Sequence, residues 1–451
     1  MWRPRLCSFG RQLPRPEHRR HHLEIPTVPF LTDLDSRAEV KGSVDPLGAM
    51  AIWTRLGRRV VGNLSTVTTS VKDFKTLVLG FALIQDLQRK AGPEKDIDDL
   101  AAFLRWEQLA AYTRGSSGDW GFRGLRRVRS RLSDSQIVPI SAERDCQILG
   151  NQKIYGLWGL FTVPSRASGL LEKEINELTQ VANDFVNQSW KRTLAPVWDL
   201  LLNAIADDTR RFNMERHEAA LKRLRNVWSK LTDSERPFWI HHLVHGGTAD
   251  KTGGRQQILA KLLQKTLADE SFAFSQRSVR KLALQAGRED EQLAHSLLDI
   301  AACESVLAYA DVLFGYLQTL DTRPLAEAVD AVRRAWPKKL AMVDRKRFSA
   351  LRQDLALASG NPRIANEWTE LSGDLCDGRW GDAIPRLLLI NNLVMEGRGG
   401  AAWVADEDGT FRVRYRDEAA SLPAAGKLND LWRYPYFIGS LRSVMQELEA
   451  A

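Results

Sequence analysis

Six arginines, Arg114, Arg123, Arg126, Arg127, Arg129 and Arg131, face a single acid, Asp119, within eighteen residues, the strongest local charge in the chain. Guanidinium forks match the paired oxygens of a phosphate, and Trp120 and Phe122 are rings of the kind on which bases stack. Leu125, Val128 and Leu132 recur at spacings of three and four, which predicts a helix with one apolar stripe and arginines on its other faces. The functional reading is a nucleic-acid surface on which Arg123, Arg126, Arg127 and Arg129 hold phosphates. The bland alternative is a solvated helix, or one paired with acidic helices of the same chain.

His241 and His245 lie four apart, the spacing that sets two imidazoles on one helical face as a metal pair. No Glu follows His241, no third ligand is near, and Gly246-Gly247 closes the segment, so histidines at a helix C-terminus are the competing reading. The stretch Gly246 to Arg255 lacks the glycine before Lys251-Thr252 and the strand that a phosphate loop requires, and it reads as a flexible linker. Asp96, Asp98 and Asp99 read as a helix N-terminus, with Asp96 as the cap, rather than a two-metal centre. With no HExxH, no Cys-x-x-Cys and no Ser, His and acid set at family spacing, no cofactor is expected.

The elements that must position these residues are mostly helical. Ser70 stands where an N-cap precedes Val71, Phe74, Leu77, Val78, Phe81 and Ile84, an amphipathic pattern that Gly92 and Pro93 end. Between Gln147 and Val186 the order helix, turn, helix, short hairpin, helix outlines a winged-helix module, with Thr162 and Thr179 as N-caps and Gly169 as a helix end. Its second helix would carry Ser165, Arg166 and Ser168 toward a groove, yet Glu172, Glu174 and Glu177 in the wing repel phosphate. Helical runs follow at Arg210 to Lys230, Arg255 to Ala268, Ser275 to Ala286 and Asp290 to Leu320, without a convincing repeat. From Ala402 to Tyr415 the period changes to that of strands, and Asp408-Gly409 is the pair for a tight hairpin.

The fold class is therefore mainly α: a multi-helix body with a winged-helix-like segment and a small C-terminal β-hairpin. The divisions are a tail or mis-assigned start over 1–44, with Met50 as another starting point, a helical region over 45–145, the winged-helix-like segment over 146–190, helices over 191–375 and an α+β region over 376–451. With 451 residues, 44% of them hydrophobic, and fourteen Trp, a sizeable core is expected and most rings belong to it. A net charge of +8 is compatible with nucleic acid but modest for the length. The longest apolar run, Leu77 to Ile84, is far below the ~20 residues of a membrane span. Four scattered cysteines and the lack of a signal peptide point to a reducing cytoplasm.

At Asp45-Pro46-Leu47-Gly48, Trp53 and Asn63 to Phe74, again at Tyr155-Gly156-Leu157-Trp158-Gly159-Leu160, and at Arg398 to Trp403, the chain resembles a loose group of bacterial proteins encoded in defence islands and mobile elements. The resemblance implies a bacterial cytoplasmic setting, a role as one component of a multi-gene anti-phage system, and partners from the same operon. It assigns no catalytic residue. The resulting expectation is a non-enzymatic component that binds nucleic acid, partner proteins or both, with Arg114, Arg123, Arg126, Arg127, Arg129, Arg131 and Arg166 as the contact residues. A metal-dependent nuclease or hydrolase using His241 and His245, and a pure protein scaffold, are the alternatives.

Overall fold

The computed structural model describes residues 45–92, 96–207, 209–337 and 339–450. The expectations for residues 1–44, including Cys7, and for Pro93 lie outside the described residues. Most of the described chain is helix, as the periodicity predicts. After α1 (Ala49–Gly57) come α2 (Val71–Ala91), α3 (Asp99–Gly115), α4 (Leu125–Asp134), α5 (Gln152–Tyr155), α6 (Leu157–Ala167) and α7 (Gln180–Val186). The chain continues with α8 (Arg192–Leu194), α9 (Trp198–Ala206), α10 (Glu218–Ser229), α11 (Arg236–Trp239), α12 (Arg255–Gln264) and α13 (Gln276–Ala286). The last helices are α14 (Glu291–Leu317), α15 (Leu325–Ala335), α16 (Arg345–Ala350), α17 (Arg352–Ser359), α18 (Pro362–Asp377), α19 (Trp380–Gly397) and α20 (Ile438–Ala450).

Two long helices form the spines. The pattern in α2 predicts one apolar face, yet α2 is enclosed on all sides, because Leu79, Ala82 and Leu83 are buried beside Phe74, Leu77, Val78 and Phe81. Helices α3, α6, α7, α9, α10 and α20 pack around it. Its buried charged side chains each have a charged partner: Asp73 meets Arg114, Lys75 meets Glu235, and Asp86 meets Lys191. A buried charge without such a partner costs several kcal/mol, on the order of 3 to 5. The second spine, α14, is covered by α1, α13, α16 and α18. The first described helix, α1, packs on α14, while the last, α20, packs on α2. Trp106, Trp190, Trp239, Trp368 and Trp380 are fully buried, as expected of most rings.

The sheets are small. Strand β1 (Ile137–Ile140) pairs antiparallel with β2 (Thr209–Asn213), setting Val138 opposite Phe212, and the register shifts at Pro139, which has no N–H to give the ladder. The sequence reads Arg210 to Lys230 as one helical run; its first residues are β2 and the helix begins at Glu218. Strands β3 (Val404–Glu407) and β4 (Thr410–Val413) form the expected hairpin, and Asp408 and Gly409 both take positive φ, 52° and 81°, as a type I′ turn requires.

Over residues 147–186 two helices, an isolated β-bridge and a third helix follow one another. Helix α5 is a single turn, and α6 runs unbroken from Leu157 to Ala167. Thr162 is therefore inside α6, its hydroxyl donating to the Trp158 carbonyl, and is not an N-cap. The hairpin is one bridge between Leu171 and Leu178. Thr179 does cap α7, accepting from the Ala182 amide at 3.3 Å. The cap of α3 is Asp98, which accepts from the Ala101 amide at 3.0 Å, in place of Asp96.

Candidate nucleic-acid interface

The arginine run divides into side chains that build the fold and side chains that remain free. Arg114, in the last turn of α3, is buried between two carboxylates: Nη1 donates to Asp73 at 2.7 Å and Nε to Asp119 at 3.0 Å. Its Nη2 donates to the Gly121 carbonyl at 3.1 Å, so this guanidinium shapes the turn after α3 and is not exposed to phosphate. Burial works against its charge, but Asp73 and Asp119 outweigh it and hold the guanidinium above its ordinary value. Arg131 donates to the Tyr112 hydroxyl and to the carbonyls of Cys146 and Asp145, at 2.6 to 2.7 Å. Arg127 donates to the carbonyls of Gln147 and Leu149 at 2.9 and 3.1 Å. Both satisfy loop carbonyls that have no ladder partner, so they staple residues 145–149 to α4.

Arg126 is exposed, and among the described residues it has no carboxylate in contact. Arg129 lies over the Trp120 ring, 4.7 Å from its centroid, which fixes the ring as a structural support for α4 as much as a base platform. Arg123 is half-buried and lines a small internal cavity with Glu107. Helix α4 fits this closely against α3 only because Gly115 has no side chain: a Cβ there would stand 3.0 Å from Trp120, 3.1 Å from Val128 and 3.2 Å from Leu132.

Further cations stand at the end of α3 and on α10. A cleft of about 520 Å³ opens between them, lined by Lys72, Arg114, Ser117, Asp119, Lys222 and Arg225 among others. Arg225 donates to the Ser116 hydroxyl at 3.0 Å and pairs with Glu218, while Lys72 approaches Asp119 at 3.4 Å. Lys222 is exposed, and among the described residues it has no acidic partner. Trp228 also lines the cleft; it is 4% exposed and its indole N–H has no acceptor. Sequence reading passed over this part, although Leu221-Lys222-Arg223-Leu224-Arg225 concentrates three cations within a single helical turn and a half.

A buried polar network ties this interface to the segment that follows. The Glu107 carboxylate, on α3, accepts from the Leu157 amide at 2.7 Å and from Gln152 Nε2 at 2.9 Å. It thereby caps α6, whose own N-cap residue Gly156 has no side chain to do so. Burial pushes the Glu107 carboxyl up to about 7, against the pull of these two donors.

The segment itself presents a different surface. Arg166 donates to the Glu172 carbonyl at 3.1 Å and to Asn176 Oδ1 at 2.6 Å, so it holds the loop onto α6 and does not reach for a groove. Glu172, Glu174 and Glu177 are exposed around it. Among the described residues, half of the large exposed apolar side chains fall here, at Ile154, Tyr155, Val163, Ile175 and Val181, with Val163 at 67%.

His241 lies within a π turn and His245 ends it. The π turn, Ile240–Val244, winds more than four residues per turn, so positions four apart still share a face. Among the described residues no three His, Cys, Asp or Glu side chains gather as metal ligands. The glycine-rich stretch differs from the flexible linker expected of it. Asp250 accepts from the Thr252 and Gly254 amides, both at 2.8 Å, and Gln256 reaches across to Asn63 at 2.8 Å. Gly247, at φ 69°, brings its Cα against Ser168, where any Cβ would stand 2.0 Å from the carbonyl oxygen.

Comparison with protein-family models, with curated proteins and with solved structures gives no match. No helix among the described residues is long and apolar enough to cross a membrane.

Proposed function

We propose that this chain is a non-enzymatic, mainly helical component that contacts the phosphate backbone of nucleic acid through the cleft between α3 and α10, together with the exposed face of α4. The observation that carries the reading is the cleft itself, where Lys222, without an acidic partner among the described residues, stands on α10 with Arg225, close to the end of α3 on which α4 packs. Lysine and arginine on such a surface neutralise phosphates and release counterions, which gives affinity without sequence preference. Placement in a bacterial anti-phage assembly rests on the sequence resemblance at Asn63 to Phe74 and Tyr155 to Leu160.

A second surface favours a protein partner. The exposed apolar side chains of residues 154–181, set among acidic groups, suit a partner that brings its own apolar anchors and a basic rim. The two readings are compatible with one component that joins nucleic acid to another protein.

The test is a salt titration of binding to labelled duplex and single-stranded DNA, with wild type beside Arg126→Ala/Lys222→Ala. Wild type should bind at low salt with a steep dependence, and the variant should lose about two from the slope of log affinity against log salt. Wild type that does not bind at low salt, or a variant with an unchanged slope, overturns the phosphate reading.

A further inference from the structure

Residues 236–245, α12 and α20 line a pocket of about 420 Å³ that opens to solvent. That is within the usual range of small-molecule sites, roughly 300 to 1,000 Å³. Its walls are apolar and settled in the core, with Val244, Ala260, Met445 and Leu448 all buried and Ile240 half-buried. Its rim is basic. Arg236 enters from the start of α11, Lys261 from the exposed side of α12, and His245 from the residue that ends the π turn.

The charges on this rim are not balanced from within the chain. Among the described residues neither Arg236 nor Lys261 meets a carboxylate, and the one acid present, Glu449, accepts from Gln264 instead. The His245 imidazole is held below its ordinary value by burial first, and then by the positive charge of His241 and Lys261, which marks the mouth as electropositive. The π turn itself is the second structural sign. Such turns are rare, and they arise where an extra residue is accommodated in a helix, frequently beside a binding site. Here the turn sets both Ile240 and Val244 into the cavity wall, and its closing bond, from the His245 amide to the Ile240 carbonyl at 2.9 Å, fixes His245 at the mouth.

We infer that this cavity binds a small amphipathic monocarboxylate, its aliphatic or aromatic body against Val244, Ala260, Met445 and Leu448 and its carboxylate at Arg236 and Lys261. The apolar walls suit an aliphatic or aromatic body better than the polar body of a nucleotide or a sugar phosphate. The paired cations distinguish an anion from a neutral amphiphile of equal length. This inference is independent of the phosphate cleft, with which the pocket shares no lining residue.

The probe is decanoate, titrated calorimetrically into the full chain below its micelle concentration, with decanol as the neutral counterpart and Lys261→Glu as the variant. Lys261 is exposed, so its replacement leaves the core intact. Decanoate should bind saturably at one site, at least tenfold more tightly than decanol, and Lys261→Glu should weaken decanoate about tenfold while leaving decanol as it was. Decanol binding as well as decanoate, a variant that binds decanoate like wild type, or no saturable binding at millimolar decanoate would each overturn the inference.

Discussion

The cleft beside α3 and the segment Gln152–Val186 both carry arginine on a short helix packed near α2, yet they present opposite surfaces. Around the cleft, Arg114, Arg127 and Arg131 are consumed by Asp73, Asp119 and the carbonyls of residues 145–149, and Arg126 and Lys222 are left over. In the segment the one arginine of α6, Arg166, is consumed by its own loop, and what is left over is apolar and acidic. The lesson is that a count of cations along a sequence measures two things at once. A guanidinium has five donors in a fixed fork, which suits backbone carbonyls as well as it suits phosphate. Only the surplus over the internal acceptors is available to a ligand.

The largest effect should come from treating Arg114 as a surface residue. Arg114→Ala removes the partner of the buried Asp73 and the brace of the turn that carries Trp120, and it should lower unfolding free energy by about 3 to 5 kcal/mol. Chemical denaturation followed by circular dichroism measures it. A loss below about 1 kcal/mol would move Arg114 back among the surface cations and erase its side of the contrast.

Next in size is a pH effect at the junction between the two regions. The Glu107 carboxyl is pushed up to about 7 from 4.5 by burial, so between those values the folded chain holds a proton that the unfolded chain has released. Stability contributed by this group is therefore present below pH 4.5 and declines as pH rises to about 7, by about 3 kcal/mol at 1.36 kcal/mol per unit. Glu304, raised by burial to about 7 on α14, adds a decline of the same sign in the same window. Glu107→Gln keeps an acceptor for the Leu157 amide and should flatten one of the two contributions. Parallel pH profiles of stability for variant and wild type would show that the α3 to α6 junction does not titrate.

How much of this was legible beforehand depends on the range over which each residue acts. The Asp408-Gly409 turn, the Thr179 cap and the helix starting near Val71 were readable, because each is decided within four or five residues. Ser70 shows the limit. It occupies the N-cap position of α2, but its side chain makes no cap bond there, and the Val71 and Lys72 amides donate instead to Glu447 of α20 at 2.9 and 3.1 Å. No local pattern announces a carboxylate from the opposite end of the chain. The same holds for Glu107 above α6, for Asp73 behind Arg114, and for β1 pairing with β2 across some seventy residues. The glycine-rich stretch misled for a related reason, since its order comes from Asp250 within it and from Asn63 far from it. Lys222 and Arg225 were visible as a dense cationic turn, but only the fold brings them to the end of α3.

The smallest effect should fall on Arg166, and it separates the two surfaces most cleanly. Arg166 is half-buried and its partners, the Glu172 carbonyl and Asn176, are neutral, so Arg166→Ala should cost only about 1 kcal/mol of stability. Because its guanidinium is already occupied, removing it should leave both the affinity for DNA and the salt slope as in wild type, where each true phosphate contact is worth about one in that slope. A slope lowered by one in Arg166→Ala would mean that the loop releases Arg166 when nucleic acid arrives. The segment would then belong to the phosphate surface after all, its acidic loop acting as a cover over that arginine in the free protein. An unchanged slope leaves Ile154, Tyr155 and Val163 as the side chains that a partner protein must cover.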